Sequence, residues 1–431
     1  MTAGRARTKT SSGDIVPSFR GALWRHSGFL RLWAAQAVST FGARIARTAI
    51  PLVAVMTIHA RPGLLGVLAA VSVLPAVFVG LFAGGFVDRT RRRPLMIAAD
   101  LARALTLVLL PVSAMFGVLS MTELFAAAIV MGVASTLFDI ADHAYLPSLI
   151  GKPDLMEGNA KLAATESIAE IGGPALAGFL IQLLTAPIAI GVNAVSYVVS
   201  ALFLGAISDA ERALPRPNVR VPWYHDLRST VGVIFGDRLI RPLFLMAVTS
   251  PLFSGFFAAL YSIYAIDVLH FSPALLGMII AVGGVGALLG SSLAPYLSRK
   301  FGVGRAIAIG YLASAISAYC VPLANGPLMV RAGLMILAQL FGDSLALVAM
   351  IPAGSLRQTV IPPQVLGRTA ALFRAGDGAS TVLGALAGGL IAEWIGVRPA
   401  LFVSVTGMVC ATLIGVFSPL IRLKEMRKAS E

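Results

Sequence analysis

Gly84-Gly85-Phe86-Val87-Asp88-Arg89-Thr90-Arg91-Arg92-Arg93 is a compact charged stretch set between two long apolar runs. A run crossing a bilayer does not continue through one aspartate and four arginines, so the chain must leave the hydrocarbon here. Loops rich in arginine face the cytoplasm, so the stretch sets an orientation as well as a boundary.

The flanking sequence has the same character along its whole length. The 431 residues are 57% hydrophobic and 13% charged, with a mean hydropathy of +0.86, the composition of a polytopic membrane protein. A span needs ~20 apolar residues to cross ~30 Å of hydrocarbon. About twelve such runs occur, at roughly 32–57, 63–87, 94–118, 121–140, 162–184, 186–207, 240–268, 274–297, 304–323, 328–352, 366–394 and 398–420. Their length specifies helices, because barrel strands alternate polar and apolar over ~10 residues. The expected fold class is an all-α membrane protein of twelve transmembrane helices in two pseudo-symmetric six-helix bundles.

The net charge of +14 does not mark a nucleic-acid binder, because the cations collect at alternate loops. They lie at Arg5 to Arg25, Arg89 to Arg93, Arg212 to Arg238, Arg299 to Arg305, Arg357 with Arg368, and Arg422 to Lys428. This positive-inside pattern places both termini in the cytoplasm and requires an even number of spans. The first ~25 residues are polar and basic without an apolar core, as in a flexible tail rather than a cleavable signal peptide. Cys320 and Cys410 fall inside spans and read as packing residues, not a disulfide framework.

An internal repeat is visible at an offset of 210 residues. Ala175-Leu176-Ala177-Gly178 recurs as Ala385-Leu386-Ala387-Gly388, Asp88-Arg89 falls opposite Ser298-Arg299, and Gly80 opposite Gly290. Duplicated six-helix halves with a substrate site between them are a transporter architecture. The expected organisation is a tail at 1–28, a first bundle at 29–207, a cytoplasmic linker at 208–239, a second bundle at 240–421 and a tail at 422–431. The linker holds Pro215, Pro217 and Pro222 and reads as a solvated connector with a short amphipathic helix near Tyr224–Phe235.

Gly84, Asp88, Arg89, Arg92 and Arg93 match the signature loop of the major facilitator superfamily, with Arg91 where that loop has its inner glycine. Phe29-Leu30-Arg31-Leu32-Trp33, Asp100-Leu101-Ala102-Arg103 and the segment from Leu146-Pro147 to Gly173-Pro174 resemble the branch containing macrolide and enterobactin exporters. Gly172 to Gly178 is similar to the Gly-Pro signature associated with antiporters. The resemblance implies the two-bundle fold, alternating access, export, and a loop that latches the cytoplasmic side. Candidate partners for Arg92 and Arg93 in that latch are Asp139 and Asp142, at the cytoplasmic end of the fourth span. Asp88 is placed to cap a neighbouring helix N-terminus, and Arg91 is a poor substitute for glycine wherever the turn needs positive φ.

Ionisable residues within spans cost ~2.5–3.5 kcal/mol each at a helix centre and demand a partner or a watery cavity. They are Arg44 and Arg47, Asp100 and Arg103, Glu166 and Glu170, Asp343, and Arg374 with Asp377. At ~1.5 Å per residue, Glu170, Asp343, Arg374 and Asp377 lie roughly 10–18 Å deep, with Arg44 and Arg47 similar or deeper. In the fold that the chain resembles, their spans border the central cavity, so a charge cluster on the transport path is expected. Asp343 has no cationic neighbour on its own helix and suits a group that takes up and releases a proton. Glu166, Glu170 and Asp377 are the other coupling candidates, with Arg374 one turn from Asp377. Fixed salt bridges that assemble the bundle are the competing reading for the whole set. Asp100 and Arg103 read as a local pair near the membrane edge. The stripe Phe253, Phe256, Phe257, Tyr261 and Tyr264 fits a cavity wall for a bulky amphipathic ligand, or ordinary packing. Gly173, Pro174 and Gly178, with Gly384 and Gly388, read as sites of close helix approach and kinking.

No phosphate-binding Gly-Lys-Ser/Thr loop and no catalytic constellation is visible, and the five histidines lack metal-ligand spacing. No cofactor, metal or enzymatic activity is expected, and the proton gradient is the expected energy source. The expected function is proton-coupled efflux of an amphipathic drug, natural product or siderophore, by a monomer in a bacterial inner membrane whose only partners are substrate and lipids. An importer or uniporter of an anionic solute, using Arg44, Arg47 and Arg374, is the nearest alternative. A non-transporting receptor or scaffold is the alternative from another class.

Overall fold

The computed structural model describes residues 22–82, 87, 90–151, 154–208 and 223–425. Gly84, Asp88 and Arg89 lie outside them. Twelve helices are long and apolar enough to cross a membrane, and no strand forms among the described residues. They are α1 (Ser27–Met56), α2 (Pro62–Phe82), α3 (Arg92–Met115), α4 (Met121–Ile150), α5 (Leu155–Leu184), α6 (Ala186–Gly205), α7 (Ile240–Ile263), α8 (Pro273–Phe301), α9 (Val303–Ser317), α10 (Leu328–Val360), α11 (Pro363–Ile395) and α12 (Val397–Val416). A π-helical turn, Tyr264–Val268, extends α7. The linker helix runs Trp223–Gly236. Twelve crossings leave the start of α1 and the end of α12 on one face, called the terminal face below, and the other is the far face.

Helices α4 and α5 outrun their apolar stretches. Polar positions near Asp139 and before Leu162 stay helical because Phe138, Tyr145, Leu146 and Ile150 bury against α1 at the terminal face. Connections are short. Single residues join α8 to α9 and α11 to α12: Gly302 (φ 92) and Gly396 (φ 87). Ser272 caps α8 by accepting from the Leu275 N–H at 3.3 Å.

The two halves pack alike. Helix α1 lies on α5 and α6 as α7 lies on α11 and α12, and α3 pairs with α6 as α9 pairs with α12. Backbone landmarks set the register of the repeat. His59 (φ 53) matches His270 (φ 52), and Thr185 (φ 100) matches Gly396 (φ 87), each 211 residues on. The helix starts Pro62 and Pro273, Arg92 and Val303, and Ala186 and Val397 share that spacing. The offset of 210 read from Ala-Leu-Ala-Gly is therefore one residue short, and Gly178 corresponds to Gly389. Ala, Leu and Gly recur so often in these helices that a one-residue slip still matches letters.

Helices α2 with α11, and α5 with α8, join the halves. A hydrophobic cluster at the far face draws on both halves, from Ala46 to Val55 on α1 through Phe256 to Ile263 on α7 and Ala392 on α11. At the terminal face the cores are separate. One holds Phe29, Met96, Phe138 and Leu204 of the first half, the other Leu243, Ile307, Leu356 and Phe373 of the second. The halves are thus fused at the far face and parted at the terminal face.

Candidate functional site: the charged gap between the halves

Gly173 of α5 packs against the Cβ of Arg44 on α1. That close approach lets one guanidinium reach two carboxylates a helical turn apart: Arg44 pairs with Glu166 at 3.1 Å and with Glu170 at 2.7 Å. The Arg44 side chain is 15% exposed, Glu166 64% and Glu170 44%. Carboxylates this open, midway along a spanning helix, face the water-filled gap between the halves, because hydrocarbon does not solvate them. Arg47 is exposed one turn further along α1. It sits in the electrostatic field of Arg44, Glu166, Glu170 and the exposed Asp139 of α4.

Asp343 approaches from the opposite half. Its carboxylate on α10 lies against Gly283 of α8, beside Gln339. It is within electrostatic reach of Glu170 across the gap and of Tyr261 on α7. The Tyr261 hydroxyl is buried without a hydrogen-bond partner among the described residues, and its ring stands 5.7 Å from that of Phe257. Helices α7, α8 and α10 carry Arg241, Arg299, Lys300, Arg331 and Arg357 only near their ends. No cation of the helices around Asp343 lies at its depth.

The repeat shows which charges the scaffold needs. At the 211-residue offset Arg44 corresponds to Gly255 and Glu170 to Thr381, and these two meet in close backbone contact between α7 and α11. The second half therefore builds the same helix crossing with a glycine and a threonine in place of Arg44 and Glu170. Glu166 corresponds to Asp377, whose helix crossing offers Gly255 in place of an arginine. Accordingly Arg374 and Asp377, both exposed on α11, join no ion pair among the described residues.

Other expected site residues take different roles. Arg92 donates to the Ala144 carbonyl at 2.8 Å. Arg93 donates to the carbonyls of Leu204, at 2.7 Å, and Gly205, where a cation complements the C-terminal end of α6. Asp142 is buried and accepts from Gln36. Asp139 is exposed, and its backbone carbonyl lies 2.7 Å from His143 Nδ1. Among the described residues, then, Arg92 and Arg93 meet backbone carbonyls and Asp142 meets a glutamine. Asp100 and Arg103 do form a local pair, buried in the interior of the first half. Asp100 is 0% and Arg103 2% exposed. Asp100 also accepts from Ser200 at 2.6 Å and Ser39 at 3.3 Å, and Arg103 lies between the rings of Phe138 and Tyr197.

The aromatic stripe divides. Tyr264 does not line the gap: it is fully buried, near the hydroxyl-accepting carbonyls of Pro322 and Ala324, and takes a hydrogen bond from Arg398 at 3.1 Å. The end of α7 turns it into the far-face loop. Phe253 packs on Gly407 of α12 and Phe256 on Gly388 of α11, leaving Phe257 and Tyr261 nearest Asp343. Gly384 abuts Leu252 of α7. Gln36, Gln182, Gln339 and Glu393 were not singled out from sequence. Their signal was a polar side chain inside or at the end of an apolar run.

This fold, with a charged gap between two six-helix halves, is that of a membrane transporter of the major facilitator type. Residues 21–431 match the transmembrane secretion effector family, and the chain belongs to that family of major facilitator transporters. It is 27% identical over 393 residues to the MFS-type transporter YfiS of Bacillus subtilis (strain 168), covering 90% of this chain and 91% of that one. The multidrug efflux pump Tap of Mycolicibacterium fortuitum is 24% identical over 388 residues, 85% of this chain and 89% of Tap. The enterobactin exporter EntS of Citrobacter koseri (strain ATCC BAA-895 / CDC 4225-83 / SGSC4696) is 26% identical over 372 residues, 85% of each chain. A bacterial homologue of the iron transporter ferroportin, in an inward-facing state, superposes with a TM-score of 0.71 at 16% identity, over 90% of this chain and 98% of that one. The nucleoside transporter NupG gives 0.73 at 13% identity, over 90% and 98%.

Proposed function

We propose that this protein exports an amphipathic small molecule from the cytoplasm in exchange for protons, by rocking its two halves about the charged gap. The observation that carries the proposal is the asymmetry of the repeat. Arg44, Glu166 and Glu170 occupy a crossing that the other half builds without its arginine and one of its carboxylates, so this charge set serves something other than assembly. Asp343, within electrostatic reach of Glu170 and with no cation of α7, α8 or α10 at its depth, is the proposed coupling carboxylate. A proton on it changes which state is favoured, and a ligand shifts the balance only by differential affinity for the two states. Phe257 and Tyr261 supply the apolar wall beside it. The arginine-rich terminal face is taken as cytoplasmic in a plasma membrane, which makes the present state cytoplasm-open. The exporters Tap and EntS among its relatives support the outward direction.

A second reading, import or uniport of an anionic solute, draws on Arg47, which joins no ion pair among the described residues. Vesicles holding the purified protein under an imposed pH gradient separate the readings. Ethidium, a macrolide and a catecholate are added one at a time and their accumulation followed. Gradient-driven accumulation of a probe supports exchange. Gradient-independent movement of the anion alone supports the second reading, and binding without flux indicates a receptor.

A further inference from the structure

Two matched contacts close the far face. On one side of the molecule Gly66 of α2 meets the Ala385 carbonyl of α11, and Gly389 meets the Pro62 carbonyl. On the other, Gly277 of α8 meets the Pro174 carbonyl of α5, and Gly178 meets the Pro273 carbonyl. Every residue of the first set has its counterpart 211 residues away in the second. A side chain completes each set at the outer rim. Glu393 of α11 accepts from the Gly63 N–H at the start of α2, at 3.2 Å. Gln182 of α5 accepts from the Ala274 N–H at the start of α8, also at 3.2 Å. Gln182 and Glu393 are again 211 residues apart.

The geometry is therefore the same twice, and the chemistry is not. Both side chains bridge the halves and both satisfy a free N–H in the first turn of a helix, where the backbone is partly positive. A carboxylate there makes a charge-assisted hydrogen bond and complements the helix dipole. An amide makes only a neutral one. We infer that Glu393 is a gate residue that holds the α2–α11 side of the far face more firmly than Gln182 holds the α5–α8 side. The far face then opens first between α5 and α8, with the α2–α11 contact as the last to part. This assignment concerns the gate alone and does not depend on the substrate or on proton coupling.

Ala70 and Ala281 are matched probes. Each lies one turn below the gate glycine of its own helix, Gly66 or Gly277, on the same face, and they are 4% and 8% exposed. Single cysteines at these positions, in a Cys320→Ser, Cys410→Ser background, are labelled with a water-soluble maleimide in nanodiscs. Both sites are closed in the present structure, so labelling reports opening of the far face at that helix pair. The expected result is faster labelling of A281C than of A70C. Glu393→Gln should speed A70C by about two- to fivefold, the difference between a charge-assisted and a neutral hydrogen bond at an exposed rim, with little effect on A281C. Gln182→Glu should slow A281C. The inference is overturned if Glu393→Gln leaves A70C unchanged, or if Gln182→Glu fails to slow A281C. The second arm strengthens a contact, so a loss of folding cannot imitate its expected result.

Discussion

Arg44 divides one positive charge between Glu166 and Glu170, and its side chain is mostly buried while theirs are open. Losing it leaves two carboxylates a turn apart at mid-membrane with no cation between them. Arg44→Gln is expected to cut gradient-driven substrate flux in vesicles by about tenfold or more, whereas Glu166→Gln, which leaves the 2.7 Å pair with Glu170, should cost less. The Asp100–Arg103 pair makes the contrasting case. It is sealed from the gap, so its expected readout is stability. Asp100→Ala strands a buried guanidinium and should destabilise the first half by roughly 3–5 kcal/mol, seen as a lowered Tm in detergent. Asp100→Ala with Arg103→Met should recover much of that loss. Intramembrane charges stood out in the sequence because each carries a solvation cost that apolar neighbours do not. Which ones face water did not. Asp100 and Glu170 are both carboxylates within apolar runs, and only the packing of α3 against α6 and the separation of the two cores at the terminal face distinguish them.

Helices were legible from run length, since ~20 apolar residues and a charged loop set each crossing. Their terminal-face extensions in α4 and α5 were not, because burial against the bundle there replaces lipid as the apolar partner. The repeat was legible as letters and misread by one residue, and backbone torsions correct it. Those torsions carry a prediction of their own. Thr185 joins α5 to α6 at φ 100, where its counterpart Gly396 sits at φ 87. A β-branched residue is strained there, so Thr185→Gly should stabilise by about 1 kcal/mol, visible as a raised Tm. Gly277 has the opposite requirement, since it packs directly on the Pro174 carbonyl. Gly277→Val should keep α5 and α8 apart at the far face, raising maleimide labelling of A281C and suppressing flux.

At the scale of the molecule, one shared core at the far face and two separate cores at the terminal face leave the halves joined at one end, the arrangement that the proposed rocking requires. The two-half plan was foreshadowed by the repeat and by the alternate basic loops. The open face was not, because it depends on contacts between helices remote in sequence, α2 with α11 and α5 with α8. The same distance hid the Asp343–Glu170 juxtaposition, whose members lie on opposite halves within electrostatic reach of each other. Transport on this account runs through that juxtaposition: a proton on Asp343 in one state, released in the other. The most direct test is a lumenal pH dye in vesicles of the wild type and of Asp343→Asn, read as a transported ligand is added, with ligand–ligand exchange measured alongside. The account predicts ligand-dependent proton movement in the wild type and its loss in Asp343→Asn, with exchange retained. Proton movement undiminished in Asp343→Asn, or ligand flux in the wild type without any proton movement, would contradict it.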